Sequence, residues 1–181
     1  DVIAGLVVTK TAELGKKIYF IQNALGGVLS PQDASLVRRG IQTLALRLDR
    51  QMENVTALIK FLQPLPQIAC LHYPVLPDSE DHHVAVAECH GFGGVFSFEL
   101  APNVDAAEFV NHLQLFKLAV SLGAVESLAE LPYKMSHAEL PVAERLAAGI
   151  TPQLIRLAVG IEEAADLKAD LKQALVAAIN D

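Results

Sequence analysis

The run Leu154-Ile155-Arg156-Leu157-Ala158-Val159 narrows what this chain can fold into more than any other stretch. A short apolar run of this kind reads as a buried strand. An arginine in its middle is costly there unless an anion meets the guanidinium. The planar fork suits a carboxylate or phosphate held by two parallel hydrogen bonds. Two kinds of anion meet that need: an Asp or Glu of the same chain, in an internal ion pair, or a bound ligand. The residues from about Glu163 to Ala178 carry Leu167, Leu171, Leu175 and Ala178 along one stripe. They read as a core-facing amphipathic helix and not as a membrane anchor.

Composition sets the frame for that strand. Hydrophobic residues make up 52% of the 181 and charged ones 19%, which is globular and not disordered. A formal net charge of -7 with no basic, aromatic-interleaved stripe argues against nucleic acid as a partner. The apolar runs are short and broken by charges, so no membrane-spanning helix is expected. The first residues carry no basic region or cleavage site of a secretory signal. Cys70 and Cys89 allow at most one disulfide, and the expected location is the cytoplasm.

Helix and strand signals alternate along the chain. Gly5–Thr9 reads as a strand and Thr11–Leu25 as a helix stopped by Gly26-Gly27. Ser30-Pro31-Gln32-Asp33 is a strong helix start, with a capping serine, proline at the first position and an acid returning to the cap. A long helix or helix pair then runs to about Leu62, broken or kinked at Gly40 and ended by Pro64 and Pro66. Ile68–Tyr73 reads as a strand, His82–His90 as a short helix, and Gly93–Leu100 as a strand with Phe96 and Phe98 on one face. Asp105–Gln114 reads as a helix, Leu118–Leu122 as a strand leading into a turn at Gly123, and Ala143–Ala148 as a helical turn. The order fits a small sheet covered by helices on one face.

Several chemistries are poorly matched. Cys70, His72, His82, His83, Cys89 and His90 lie close in sequence, but their spacings are not those of zinc sites, so no metal is expected. Gly91-x-Gly93-Gly94 precedes a strand and not a helix N-terminus, so it builds no phosphate cradle and reads as a turn where backbone approaches backbone. No G-x-S-x-G nucleophile elbow is present. Met52 and Met135 read as core or pocket packing.

A series of separated motifs carries a family resemblance. Ser121-Leu122-Gly123-Ala124-Val125-Glu126-Ser127-Leu128 is similar to S-L-G-G-x-E-S-L, Pro132 with Met135-Ser136-His137 to P-x-x-M-[ST]-H, and Gly149 to Glu162 to G-I-x-x-x-L-I-R-L-S-V-G-[IL]-E-D. Upstream, Gln22-Asn23, Gly26, Leu29-Ser30-Pro31 and Asp33 fit Q-N-x-x-G-x-x-L-S-P-x-D. Arg39-Gly40, Thr43-Leu44 and Arg47 fit R-G-x-x-T-L-x-[LV]-R, and Gly91 to Glu99 fits G-x-G-G-x-x-S-F-E. Taken together they resemble the C-terminal domain of the trans-sulfuration enzymes, the pyridoxal-phosphate family that handles cysteine, cystathionine and methionine.

The resemblance implies an α/β (α+β) fold, the C-terminal domain of a fold-type I aminotransferase-like enzyme, with a small, mostly antiparallel sheet covered by helices. Residues 1–62 would be the end of the cofactor-binding domain with a long linking helix, and 63–181 the substrate-side domain. Asp1-Val2-Ile3-Ala4-Gly5 opens partway through a G-H-S-D-V-x-x-G element, so the cofactor lysine is expected upstream of residue 1 and the chain is expected to be an inactive fragment. The parent would bind pyridoxal 5'-phosphate, act on a sulfur-containing amino acid by elimination or replacement, and form a homo-oligomer, a tetramer.

By resemblance Arg156 binds the substrate α-carboxylate, and Ser127 lies beside it to add a hydrogen bond, with an ordinary turn serine as the rival reading. Glu126 lines the distal pocket, where it would attract the amino end of a long substrate, or it is a plain surface acid. The family's second glycine is Ala124 here, its lysine in R-G-[LI]-K-T-L is Gln42, and the methionine and histidine of R-M-x-x-H-x-x-N are Leu48 and Gln51. The long-helix departures are expected to bear on partner contacts more than on chemistry. The competing class is a natural truncated, non-catalytic module that binds an amino acid or contacts a subunit.

Overall fold

The structure is a computed structural model describing residues 2–179, so Asp1, where the expected G-H-S-D-V-x-x-G match begins, lies outside the described residues. The chain forms two compact units, Asp1–Leu46 and Arg47–Asp181.

In the first unit, residues 2–9 hold no regular structure. The strand expected over Gly5–Thr9 does not form, because extended backbone needs a neighbour to take its N–H and C=O groups. Helix α1 (Ala12–Leu25) starts at Thr11, whose Oγ1 accepts from the Leu14 N–H at 3.3 Å, and ends on Gly26 at φ 72. Helix α2 (Pro31–Ile41) starts at Ser30, whose Oγ accepts from the Asp33 N–H at 3.1 Å and donates to the Asp33 carboxylate at 2.9 Å. Local chemistry thus sets both helices. Neither buries a residue, and Leu6, Phe20 and Leu25 are exposed.

Helix α3 (Leu44–Leu62) follows after a break at Gln42-Thr43, the helix pair expected around Gly40. Its buried residues Gln51, Asn54, Val55, Leu58, Ile59 and Leu62 recur at helical spacing. The N-terminal part of that stripe is amide, the rest aliphatic. Then come β1 (Ile68–His72), α4 (His82–Glu88), β2 (Val95–Leu100), α5 (Ala106–His112), β3 (Lys117–Leu118), β4 (Leu128–Glu130), α6 (Val142–Ala147), β5 (Leu154–Ala158) and α7 (Ala164–Ala177).

The strands form one five-stranded sheet in the order β1-β2-β5-β4-β3. Every pairing is antiparallel except β3 with β4, so the mostly antiparallel sheet is borne out. One face carries Phe96, Phe98, Ile155, Leu157 and Ala129, and the buried stripes of α3, α5 and α7 pack with them in a single core. Each fully buried Phe or Leu there contributes about 2 kcal/mol. Two strand boundaries differ from expectation. The strand expected over Leu118–Leu122 is only Lys117–Leu118, and β4 was not anticipated. All three β4 residues are buried, so no alternation marks it in the sequence.

Candidate active site

Arg156 lies on the central strand, between Ile155 and Leu157, which face the helices and are fully buried. Strand alternation therefore turns its side chain to the opposite face. Its cross-strand neighbours are Ser97 on β2 and Glu130 on β4. Glu130, 1% exposed, sets Oε1 2.8 Å from Arg156 Nη1. Arg156 Nη2 donates to the carbonyls of Val120 at 2.8 Å and Ser121 at 3.2 Å. Arg156 Nε and Glu130 Oε2 are both buried without a hydrogen-bond partner. The costly arginine is thus met by an internal carboxylate, yet one donor of its fork is left over.

The segment after β4 closes on Glu130. Ser136 Oγ donates to Glu130 Oε1 at 3.1 Å and lies 2.8 Å from His137 Nδ1. With the hydroxyl hydrogen on Glu130, His137 must carry its proton on Nδ1. Met135 folds back, its N–H to the Leu131 carbonyl and its Sδ receiving the Leu131 N–H.

Ser127 sits at the other end of β4, fully buried. Its N–H and hydroxyl both donate to the Glu162 carboxylate, at 2.7 and 2.8 Å, and its Oγ accepts from the Gly160 N–H at 2.9 Å. The Ile161 N–H to the Val125 carbonyl completes a seam between 125–127 and 160–162. No side chain fits at Gly160, because a Cβ there would collide with the Val125 carbonyl oxygen. Helix α3 holds both sides of the seam. Asn54 Nδ2 donates to the Gly160 and Glu162 carbonyls at 3.1 and 2.8 Å, and Gln51 Nε2 to the Ala124 carbonyl at 2.8 Å.

The structure thus brings Glu130 to Arg156, not Ser127, whose donors are committed to Glu162. Glu126 is exposed on the turn that begins at Gly123, φ 79. Ala124 replaces glycine without strain, since among the described residues no non-glycine has positive φ. Glu130, Glu162, Gln51 and Asn54 were missed as site residues. For Glu162 the signal was there, an acid within its motif, whereas Glu130 falls between two motifs. Gln51, a departure from the family pattern on the long helix, points inward, 2% exposed, onto the site turn. The glycine turn before β2 does bring backbone to backbone: the Val159 N–H donates to the Gly94 carbonyl at 2.8 Å. Among the described residues no group of three His, Cys, Asp or Glu is placed to hold a metal ion, and no helix is long and apolar enough to cross a membrane.

Fold and site define an α/β domain in which an arginine on the central strand pairs with a buried glutamate, and solved structures share the fold. A cystathionine gamma-lyase from Lactobacillus plantarum, complexed with L-serine, matches with a TM-score of 0.89 at 44% identity, over 94% of this chain and 45% of that one. A cystathionine gamma synthase from Xanthomonas oryzae pv. oryzae matches at a TM-score of 0.87 and 40% identity, over 93% and 44%. Among curated relatives, the cystathionine gamma-lyase of Bacillus subtilis (strain 168) is 46% identical over 97% of this chain and 46% of its own length. The cystathionine beta-lyase of Lactococcus lactis subsp. cremoris (strain MG1363) is 45% identical over the same shares. The family described as Cys/Met metabolism PLP-dependent enzyme matches residues 1–176, and this chain belongs to it. The chain spans about half the length of these relatives.

Proposed function

We propose that this chain is the substrate-side portion of a pyridoxal-phosphate enzyme that carries out elimination or replacement on a sulfur-containing amino acid. The observation that carries this reading is the buried, unpartnered Nε of Arg156, on a guanidinium otherwise held by Glu130 and two carbonyls. That leftover donor fits the α-carboxylate of an amino acid held on the cofactor. The cofactor, when bound, supplies the electron sink for the substrate carbanion. We assign no residue of this chain to the ring or phosphate of the cofactor.

Arg156 binds the carboxylate and so fixes the orientation of the Cα–H bond. Ser127 offers its hydroxyl or N–H to the same carboxylate once Glu162 releases them. Glu126, exposed on its turn, meets the amino end of a long substrate such as cystathionine. Residues 1–62 end the cofactor-binding domain and link to the substrate-side domain at 63–181, with α3 anchored through Val55, Leu58, Ile59 and Leu62. The whole enzyme is a cytoplasmic homotetramer. The family match over residues 1–176 supports this reading.

The 2.8 Å contact with Glu130 favours a second reading, in which Arg156 is only a structural ion pair. Arg156→Lys in the full-length enzyme separates the two. Loss of a clamped carboxylate contact lowers kcat/KM roughly hundredfold with the fold intact. An unchanged kcat/KM would leave only the structural reading.

A further inference from the structure

The motif Pro132-x-x-Met135-Ser136-His137 has no part in the function above, yet its Ser136 reaches the Glu130 carboxylate and its other residues pack around that contact. The Met135 N–H and Sδ bond to Leu131, the residue next to Glu130, at 2.9 and 3.4 Å. The His137 N–H bonds the Pro132 carbonyl at 3.0 Å, which turns its ring back to Ser136. Ser136 then donates to Glu130 Oε1, the same oxygen that faces Arg156 Nη1. The result is a chain of contacts His137–Ser136–Glu130–Arg156, with Glu130 at 1% exposure.

The geometry points to Glu130 as a positioning residue that sets Arg156 for its carboxylate ligand, with Met135, Ser136 and His137 as the brace that holds Glu130. This rests on the carboxylate-binding reading of Arg156. The argument is one of degrees of freedom. An arginine side chain has several soft torsions, and a guanidinium free to swing loses much of a directed hydrogen bond to ordering entropy. Here Glu130 fixes one Nη and the Val120 and Ser121 carbonyls fix the other. The plane of the fork is therefore set before any ligand arrives. Ser136 and Arg156 both donate to Oε1 of Glu130, while Oε2 has no hydrogen-bond partner.

The test is calorimetric binding to the full-length, cofactor-loaded protein of L-serine and of ethanolamine, which lacks only the carboxylate. Glu130→Gln weakens L-serine roughly tenfold and leaves ethanolamine within about twofold. Glu130→Asp, which keeps the charge, recovers part of the L-serine affinity. Arg156→Lys run beside it abolishes the preference for L-serine. If Glu130→Gln keeps the preference while Arg156→Lys loses it, the positioning role of Glu130 fails and the reading of Arg156 stands. If Arg156→Lys keeps the preference, both fail together. Equal weakening of both ligands by Glu130→Gln makes Glu130 a merely structural residue and overturns the inference. Where Glu130→Gln does not accumulate as folded protein, Glu130→Asp alone decides it: a selective loss for L-serine supports the role, and an equal or absent loss overturns it.

Discussion

Gln51 Nε2 donates to the carbonyl oxygen of Ala124 at 2.8 Å, so two positions that depart from the family pattern touch each other. A glutamine amide reaches the turn from the start of the α3 stripe, and Ala124 follows Gly123 on that turn. The Gln51 side chain also packs on Gly94, where a Cβ would come within 3.1 Å of it. The turn that carries Glu126 and Ser127 is therefore tied to the long helix by a side chain this chain chose for itself.

Replacing Gln51 by Leu should leave the half-buried Ala124 carbonyl without its donor. The expected loss is about 1–2 kcal/mol of unfolding free energy, read as a lower urea midpoint. A midpoint equal to that of the unsubstituted protein would mean that water takes over the bond.

The seam between 125–127 and 160–162 depends on Gly160. An alanine there would drive its methyl into the Val125 carbonyl oxygen and the Glu162 carboxylate, and backbone has to move. Gly160→Ala should cost about 3 kcal/mol by overpacking, more than Ser127→Ala at about 1–2 kcal/mol. Thermal unfolding of both variants ranks them; the reverse order would remove the seam as the tighter constraint.

Asp170 on α7 is 6% exposed, and its carboxylate accepts from the N–H groups of Gln114, Leu115 and Phe116 at 2.8, 2.8 and 3.0 Å. This holds the loop that delivers β3. Asp170→Ala leaves those donors unmet, at a cost of about 3 kcal/mol or more. Asp170→Asn, which keeps one acceptor oxygen, should cost less. Hydrogen exchange at residues 114–118 should quicken in both variants, and slow exchange in Asp170→Ala would exclude the carboxylate as the anchor.

Asp105 caps α5, and the N–H groups of Glu108 and then Ala107 hold its carboxyl below the usual aspartate range, with Lys134 adding to the effect and desolvation opposing it. A depressed folded pKa gives stability that is present above the unfolded value, about 3.9, and lost as pH falls through the lower folded value. Asp105→Asn keeps a capping oxygen but not the charge. The unsubstituted protein should be the more stable by several tenths of a kcal/mol at pH 7, and the gap should close below about pH 4. A gap that persists into acid would assign the difference to packing.

The elements were legible where their causes are local. Thr11 and Ser30 cap helices through N–H groups a few residues away, Gly26 stops α1 by its own φ, and β2 shows its burial as alternation. The family motifs and the arginine at the centre of β5 were likewise plain in the residue order. Leu128-Ala129-Glu130 was not, since a three-residue strand buried on both sides has no period to read. Gly5–Thr9 erred the other way: it has the residues of a strand but no partner.

Residue order alone required that Arg156 meet an anion, because a guanidinium in an apolar strand has no other inexpensive state. Which anion it meets was decided by register. Glu130 stands opposite Arg156 only because β4 pairs antiparallel with β5 in one alignment, and a shift by one residue would turn every side chain of β4 to the other face. The pairing of Ser127 with Glu162, and the inward turn of Gln51 and Asn54, depend in the same way on where α3 and β5 pack. Such contacts join residues far apart in sequence, and their free energy exists only once the sheet and helices have closed around them.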